Sequence, residues 1–131
     1  MTPEENIATI RAAIAAFNAN DVAVMEKYVH PDFVYTVRGQ SVLSGVYRGW
    51  DAWSRGIARI KELTGGSMAA TPEVVLADGE HVMMYAHVTG SRPGGRTYDS
   101  HQAYLYTLKD GKLTQGQTIP VDPQAFAEFL A

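Results

Sequence analysis

Residues 71–121 read "TPEVVLADGEHVMMYAHVTGSRPGGRTYDSHQAYLYTLKDGKLTQGQTIPV", and this stretch decides the fold class. It contains four runs rich in aromatic and β-branched residues, which favour strands. The segments "DGE", "PGG" and "DGK" separate these runs, and their glycines supply the positive φ that tight hairpins need. The pattern predicts a meander of four long antiparallel strands.

The part of the chain before this stretch has the periodicity of helices. Thr2 and Glu5 can form a capping box around Pro3, and apolar residues then recur at spacings of three and four. A short second helix can start at Asp21, and a third runs from residue 50 to a stop at Gly65. Between them we expect a short strand at 33–37 and a glycine-punctuated loop at 39–49, and residues 122–131 predict one or two last helical turns.

This order of elements, helices first and long strands after them, is typical of the α+β class. Such a sheet must bury one face under the helices, so we expect one domain spanning 1–131. Its predicted architecture is a cone-shaped roll, in which three N-terminal helices pack on a strongly curved, mainly antiparallel sheet. The hollow between the two layers is where a ligand would bind.

Composition excludes several classes of partner. The chain has eleven Lys and Arg against fourteen Asp and Glu, with no basic run, which argues against nucleic acid and against an anionic membrane. It has no cysteine and no apolar run as long as a membrane span. We therefore expect a cytoplasmic protein that binds no cofactor and no metal.

Several stretches resemble a known family: "FNANDVAVMEKYVHPDFVY", "SGVYRGWDAW", "ELTGGSM", "LKDGKLTQGQ" and "DPQAFAEFLA". They are similar to SnoaL-like domains of the nuclear transport factor 2-like superfamily, which includes polyketide cyclases, ketosteroid isomerases and limonene epoxide hydrolases. The resemblance covers nearly the whole chain and implies the cone-shaped fold with a pocket. It does not imply one activity, because this fold carries isomerases, cyclases, hydrolases and simple binding proteins.

The resemblance also shows which catalytic groups are missing. The general-base aspartate of the isomerases aligns with Thr36, and their oxyanion-hole acid aligns with Tyr104. The tyrosine that completes that hole falls near Ala13, and we find no carboxylate, arginine, carboxylate cluster of the epoxide hydrolase kind. A threonine cannot take a proton from carbon at neutral pH, so we expect no steroid isomerisation.

Strand alternation predicts which residues face the hollow. The resemblance places Tyr104 inside, which puts Gln102 and Tyr106 inside as well, and we expect the last strand to present Leu113, Gln115, Gln117 and Ile119. The expected ligand-binding residues are Tyr28, Thr36, Trp53, Met84, Gln102, Tyr104, Tyr106 and Gln117. Among these, Tyr104 is expected to be the donor that orients a ligand carbonyl. The plainer alternative is that the aromatic residues only fill the core.

The opposite face of the same strands carries a second group of residues. The "PGG" hairpin places His87 near His101, with Asp99 on the same face. Asp99 and His101 would be catalytic candidates for a hydrolase or lyase if the strand phase were shifted by one residue. This outer face is also apolar at positions such as Met83 and Leu105, which predicts a homodimer.

Two functions stay open on the sequence alone. The first is a cyclase- or isomerase-like enzyme acting on a cyclic, apolar, carbonyl-bearing compound, with Tyr104 as its candidate catalytic residue. The second is a non-catalytic module that binds a small apolar or aromatic molecule or mediates dimerisation. The missing acids favour the second.

Overall fold

The computed structural model describes residues 1–131 and contains four α-helices and six strands. The helices are α1 (Pro3–Asn18), α2 (Val22–Met25), α3 (Trp50–Thr64) and α4 (Pro123–Leu130), and a single 3-10 turn at Glu26–Tyr28 follows α2. The strands are β1 (Val29–Val37), β2 (Gly45–Arg48), β3 (Ala69–Asp78), β4 (His81–Ser91), β5 (Thr97–Lys109) and β6 (Lys112–Pro120). No helix has the length and apolar character that a membrane crossing requires.

The six strands form one sheet in the order β2-β1-β6-β5-β4-β3. Strands β3 to β6 are the antiparallel meander that the sequence predicts. Strand β1 pairs in parallel with β6, and β2 pairs antiparallel with β1. The sheet is therefore mixed and open, and the α+β class is confirmed.

The helices cover one face of this sheet, and capping residues set where α1 begins and where α3 ends. The capping box at the start of α1 is formed, with Glu5 and Thr2 bonding each other's backbone N–H groups. Helix α3 ends at Gly65, which adopts the left-handed conformation with φ of 59°. The C-terminal helix α4 packs Phe126 and Phe129 into the core. One hydrophobic core thus lies between the helices and the inner face of the sheet.

The first two strands differ from the sequence prediction. Strand β1 starts at Val29 rather than at Phe33, and an irregularity in its pairing with β6 between Val29 and Val34 accommodates Pro31. Residues 45–48, predicted as part of a loop, form β2. Strand β2 has only four residues, and its first two, Gly45 and Val46, are both exposed, so no alternation of buried and exposed residues can be detected. The strand forms because it pairs with β1.

A register shift changes the phase of β6. Leu108 pairs with Leu113 whereas Thr107 pairs with Gln115, so Thr114 is an extra residue. Leu113 faces inward as expected, but beyond the bulge the inward positions are Gly116 and Thr118. The prediction that Gln115, Gln117 and Ile119 face the hollow is therefore wrong. A bulge moves every later side chain to the opposite face.

Candidate functional site

An internal cavity of about 80 Å³ lies between the helices and the inner face of the sheet. It is lined by 23 residues, of which 21 are hydrophobic, and the two others are Gln102 and Thr118. The partly exposed members of this lining all come from helices: Ile14, Phe17, Met25 and Trp50. The cavity therefore meets solvent on the helical side, while the sheet forms its closed end.

Aromatic rings form much of the wall. Tyr35 of β1 stacks on Trp53 of α3 with ring centroids 3.9 Å apart and planes 12° apart. Tyr104 and Tyr106 on β5 lie parallel with a centroid distance of 6.1 Å. Such offset aromatic pairs are rigid and bury large apolar areas. The wall is thus suited to a flat or apolar molecule.

One set of polar groups at the wall forms hydrogen bonds among its own members. The hydroxyl of Tyr104 donates to Oε1 of Gln102 at 2.7 Å. Nε2 of Gln102 in turn donates to the hydroxyl of Tyr98 at 3.3 Å. The sequence predicts that Tyr104 donates to a ligand carbonyl, but in this structure its proton is donated to Gln102.

A second set consists of three hydroxyls. Those of Tyr35 and Thr118 lie 2.5 Å apart and share a hydrogen bond. The hydroxyl of Tyr106 lies near that of Tyr35 but makes no hydrogen bond within the protein. We name Tyr106, Tyr35 and Thr118 the hydroxyl chain. Its three members come from β5, β1 and β6, which are adjacent in the sheet.

The cavity carries no ionised group. No aspartate, glutamate, histidine, lysine or arginine belongs to its lining. Burial raises the pKa of Tyr35 to about 12, although the hydrogen bond to Thr118 and the neighbouring hydroxyl of Tyr106 offset part of that effect. Burial also raises the pKa of Tyr104 and of Tyr106 well above the usual value, and neighbouring tyrosines add to the shift. All three phenols are therefore neutral near pH 7, as donors and weak acceptors but not as bases.

Four of the residues expected at the site belong to the cavity wall. They are Trp53, Gln102, Tyr104 and Tyr106. The phase of β5 therefore agrees with the sequence analysis, which placed its even-numbered positions inside. The role of these residues in binding a ligand stays a prediction.

The other four expected residues do not line the cavity. Thr36 lies on the opposite face of β1, because Phe33, Tyr35 and Val37 are the buried positions of that strand. Tyr28 sits in the 3-10 turn outside the wall, and Met84 is buried but is covered by other side chains. Gln117 faces outward and accepts a hydrogen bond from Arg38 Nε at 2.9 Å.

Among the wall residues that carry a hydroxyl, two were missed by the sequence analysis, Tyr35 and Thr118. The alternation of Phe33, Tyr35 and Val37 is a signal that could have placed Tyr35 inside, and the alignment with Thr36 obscured it. Thr118 could not be placed from alternation, since the bulge at Thr114 resets the phase of its strand.

The histidine and aspartate candidates lie on the outer face of the sheet. His87 pairs with His101 in register as predicted, and the two rings are 5.2 Å apart. Nε2 of His87 lies 2.6 Å from Asp99, and Nε2 of His101 lies 2.8 Å from Glu73. These contacts are exposed to solvent, and none of the four residues lines the cavity. The shifted phase on which a hydrolase or lyase depended does not occur.

Known proteins share both this sequence pattern and this fold. The uncharacterized protein Rv0034 of Mycobacterium tuberculosis is 31% identical over 133 residues, which cover 100% of both chains. The solved structure of Bal32a, from a soil-derived mobile gene cassette, is 26% identical with a TM-score of 0.93 and 98% coverage of each chain. TerC, co-crystallised with polyporic acid, has a TM-score of 0.86 at 24% identity, with 96% of this chain and 98% of that one covered.

A family model described as the SnoaL-like domain matches residues 10–116, from the middle of α1 to the middle of β6. The match contains the cavity residues of α1, α2, α3, β1 and β5, whereas Thr118 and Phe126 lie outside it. The chain belongs to the SnoaL-like domain family.

Proposed function

We propose that this protein binds one small, neutral, apolar ring compound bearing an oxygen acceptor, such as a cyclic ketone, inside the cavity. The observation that carries the proposal is the composition of the wall, in which 21 of 23 residues are hydrophobic and every polar group is neutral. A charged ligand would lose its hydration there without gaining a partner of opposite charge. A neutral ring would instead exchange water for aromatic contacts.

The size of the cavity limits the ligand. An apolar cavity of about 150 Å³ holds benzene, and drug-sized pockets are on the order of 300–1,000 Å³. The volume of about 80 Å³ found here is smaller than both. A single ring would fit after small movements of the partly exposed side chains at the opening, among them Phe17, Met25 and Trp50. A ligand of several fused rings would require those side chains to swing away.

Binding is favoured over turnover because the cavity lacks a base. Proton abstraction next to a carbonyl needs a group that is ionised or basic near neutral pH. The only titratable side chains in the wall are tyrosines, and burial raises their pKa values further from neutrality. The position aligned with the base of the steroid isomerases, Thr36, does not even face the cavity.

A cyclase- or isomerase-like enzyme is the second candidate, and one observation favours it. The hydroxyl chain provides neutral donors next to an apolar space, an arrangement that can stabilise an enolate oxygen. The test is deuterium exchange at the α-carbon of cyclohexanone in D2O, followed by NMR. Exchange that the protein accelerates, and that Tyr106→Phe abolishes, would replace the binding proposal with an enzymatic one. We expect no acceleration.

Calorimetry with cyclohexanone tests the binding proposal directly. Ala13 lines the cavity from α1, so Ala13→Met would fill the space that a ring needs. Ala8 is an exposed position of the same helix, and Ala8→Met is the matched control. We expect the wild type and Ala8→Met to bind, and Ala13→Met to lose binding while remaining folded. Equal binding by all three proteins would place the ligand outside the cavity.

We also propose that the chain forms a homodimer through the outer face of the sheet. Of eight exposed large hydrophobic residues, four are neighbours there: Val74, Leu76, Met83 and Tyr85. Val74 pairs with Tyr85 and Leu76 with Met83, so the four side chains form one patch. An apolar patch of this kind on one face of a sheet is suited to a symmetric contact with a second copy.

Light scattering tests the dimer. Met83→Glu places a charge at the centre of the patch, whereas Val42→Glu changes an exposed valine in the loop before β2. We expect a dimer mass for the wild type and Val42→Glu, and a monomer mass for Met83→Glu. A monomeric wild type at micromolar concentration would contradict the proposal. Fractionation of producing cells would separately check the cytoplasmic location expected from composition.

A further inference from the structure

We propose that the acceptor oxygen of the ligand is bound by Tyr106, at the end of the hydroxyl chain, and not by Tyr104. This inference rests on the proposed function, since it names the polar contact within the same cavity. It concerns a hydrogen bond that neither the sequence pattern nor the family resemblance assigns.

The count of protons supports Tyr106. Each hydroxyl has one proton to donate and two lone pairs to accept with. Within the hydroxyl chain, Tyr35 and Thr118 share one hydrogen bond, whereas the hydroxyl of Tyr106 makes none. The proton of Tyr106 is therefore not used by another group of the protein. It is free to be donated to a ligand.

The other polar groups of the wall are less available. The proton of Tyr104 is used by Gln102, at 2.7 Å. Gln102 keeps a second amide proton, but this side chain is only 1% exposed, whereas Tyr106 is 5% and Thr118 7% exposed. The hydroxyl chain is thus the set with both a spare donor and residual access to the cavity.

The absence of a side chain at Gly116 in β6 determines where the hydroxyl chain lies. A Cβ atom there would lie 2.6 Å from Cε2 and 2.7 Å from Cδ2 of Tyr35, and 3.3 Å from Cδ1 of Tyr106. The rings of both tyrosines therefore lie directly against the backbone of β6. On its other side, the ring of Tyr35 is fixed by the stack with Trp53. Gly116 lets two tyrosines from neighbouring strands bring their hydroxyls together.

Chains of hydroxyls also strengthen one another. A hydroxyl that accepts a hydrogen bond becomes a better donor, so a hydrogen bond from Tyr35 to Tyr106 formed on binding would strengthen the contact between Tyr106 and the ligand. Tyr106 would touch the ligand, while Tyr35 and Thr118 would act as positioning residues. A carbonyl oxygen, which accepts without donating, is the group that completes this arrangement.

The experiment compares two ligands of the same shape, cyclohexanone and methylenecyclohexane, by titration calorimetry. Only the ketone has an acceptor oxygen, so the ratio of the two affinities isolates the hydrogen bond. We expect Tyr106→Phe to lower the preference for the ketone by roughly 2- to 10-fold, and Thr118→Val to lower it by less. Tyr85→Phe, on the outer face, is the matched control and should keep the wild-type ratio.

Affinity for methylenecyclohexane shows whether each variant still has an intact cavity. A wild-type ratio in Tyr106→Phe, with the hydrocarbon still bound, would overturn this inference and leave the proposed function standing. Loss of the preference in Tyr104→Phe instead of Tyr106→Phe would overturn it as well. Failure of the wild type to bind either ligand would overturn the proposed function and this inference together.

Discussion

The two faces of strand β5 differ in chemistry although their residues alternate along one chain segment. The inner face presents Gln102, Tyr104 and Tyr106, which are buried and neutral. The outer face presents Asp99 and His101, which make exposed contacts with histidine and glutamate partners. The residues that look catalytic in the sequence thus lie in water, where a charge costs little. The cavity keeps groups that can be desolvated without a counter-charge.

The largest expected effect is a difference in unfolding free energy between a substitution in the core under the inner face and one on the outer face. Trp53→Ala should lower the free energy of unfolding by about 3–5 kcal/mol, because it removes a buried ring and leaves a void beside Tyr35. Tyr85→Ala, on the outer face, should cost less than about 1 kcal/mol in the monomer. Urea denaturation at low protein concentration measures both. Similar losses for the two variants would mean that the outer face is as well packed as the inner one.

Gly116 gives a sharper test of the inner face. Gly116→Ala should destabilise the protein by about 1–3 kcal/mol, because the new methyl group would overlap the ring of Tyr35. The same change in a Tyr35→Val background should cost less, since the ring is absent. A double-mutant cycle measures this coupling, and a coupling near zero would show that the ring and the glycine do not compete for space.

Alkaline pH should also distinguish buried from ordinary tyrosines. The folded state raises the pKa of Tyr35 to about 12 and those of Tyr104 and Tyr106 well above the usual value. The unfolded chain therefore loses these protons first, from about pH 10. Their contribution to stability is fully present below that pH and is lost as the pH rises toward the folded-state pKa values.

Absorbance of phenolate near 295 nm follows this titration. We expect Tyr35, Tyr104 and Tyr106 to ionise only when the protein unfolds in alkali. Tyr106→Phe should reduce by one the number of tyrosines that ionise only on unfolding, and Tyr85→Phe should leave that number unchanged. Ionisation of all tyrosines in the folded protein near pH 10 would show that the cavity wall is open to solvent.

The smallest expected effect concerns Thr36, the neighbour of Tyr35 on the outer side of β1. Thr36→Val should change the free energy of unfolding by no more than about 0.5 kcal/mol and should leave the affinity for cyclohexanone unchanged. Tyr35→Phe, one residue away, should reduce the preference for the ketone. Weaker ketone binding in Thr36→Val than in Tyr35→Phe would reverse the assigned phase of β1.

The meander could be predicted from sequence because its signals are local. The turns "DGE", "PGG" and "DGK" contain the glycines that hairpins need, and the long alternation of β5 set the inner positions of Gln102, Tyr104 and Tyr106. The capping box of α1 and the stop at Gly65 are local as well.

Features that depend on how one strand pairs with another could not be predicted from the pattern of a single strand. Strand β2 exists because it pairs with β1, and the bulge at Thr114 appears only in the register between β5 and β6. The hydroxyl chain needs three strands to meet, so no spacing in the sequence shows it. The partner of the Tyr104 hydroxyl, Gln102, lies two residues away on the same face and could have been proposed from the alternation alone.

A crystal structure of the protein soaked with cyclohexanone tests the central claim most directly. The account predicts one ring in the cavity between α1, α3 and the sheet, with its oxygen about 2.5–3.0 Å from the hydroxyl of Tyr106. Tyr104 should keep its hydrogen bond to Gln102 in that complex. A cavity that stays empty while the ketone binds elsewhere, or a ketone oxygen held by Tyr104, would contradict it.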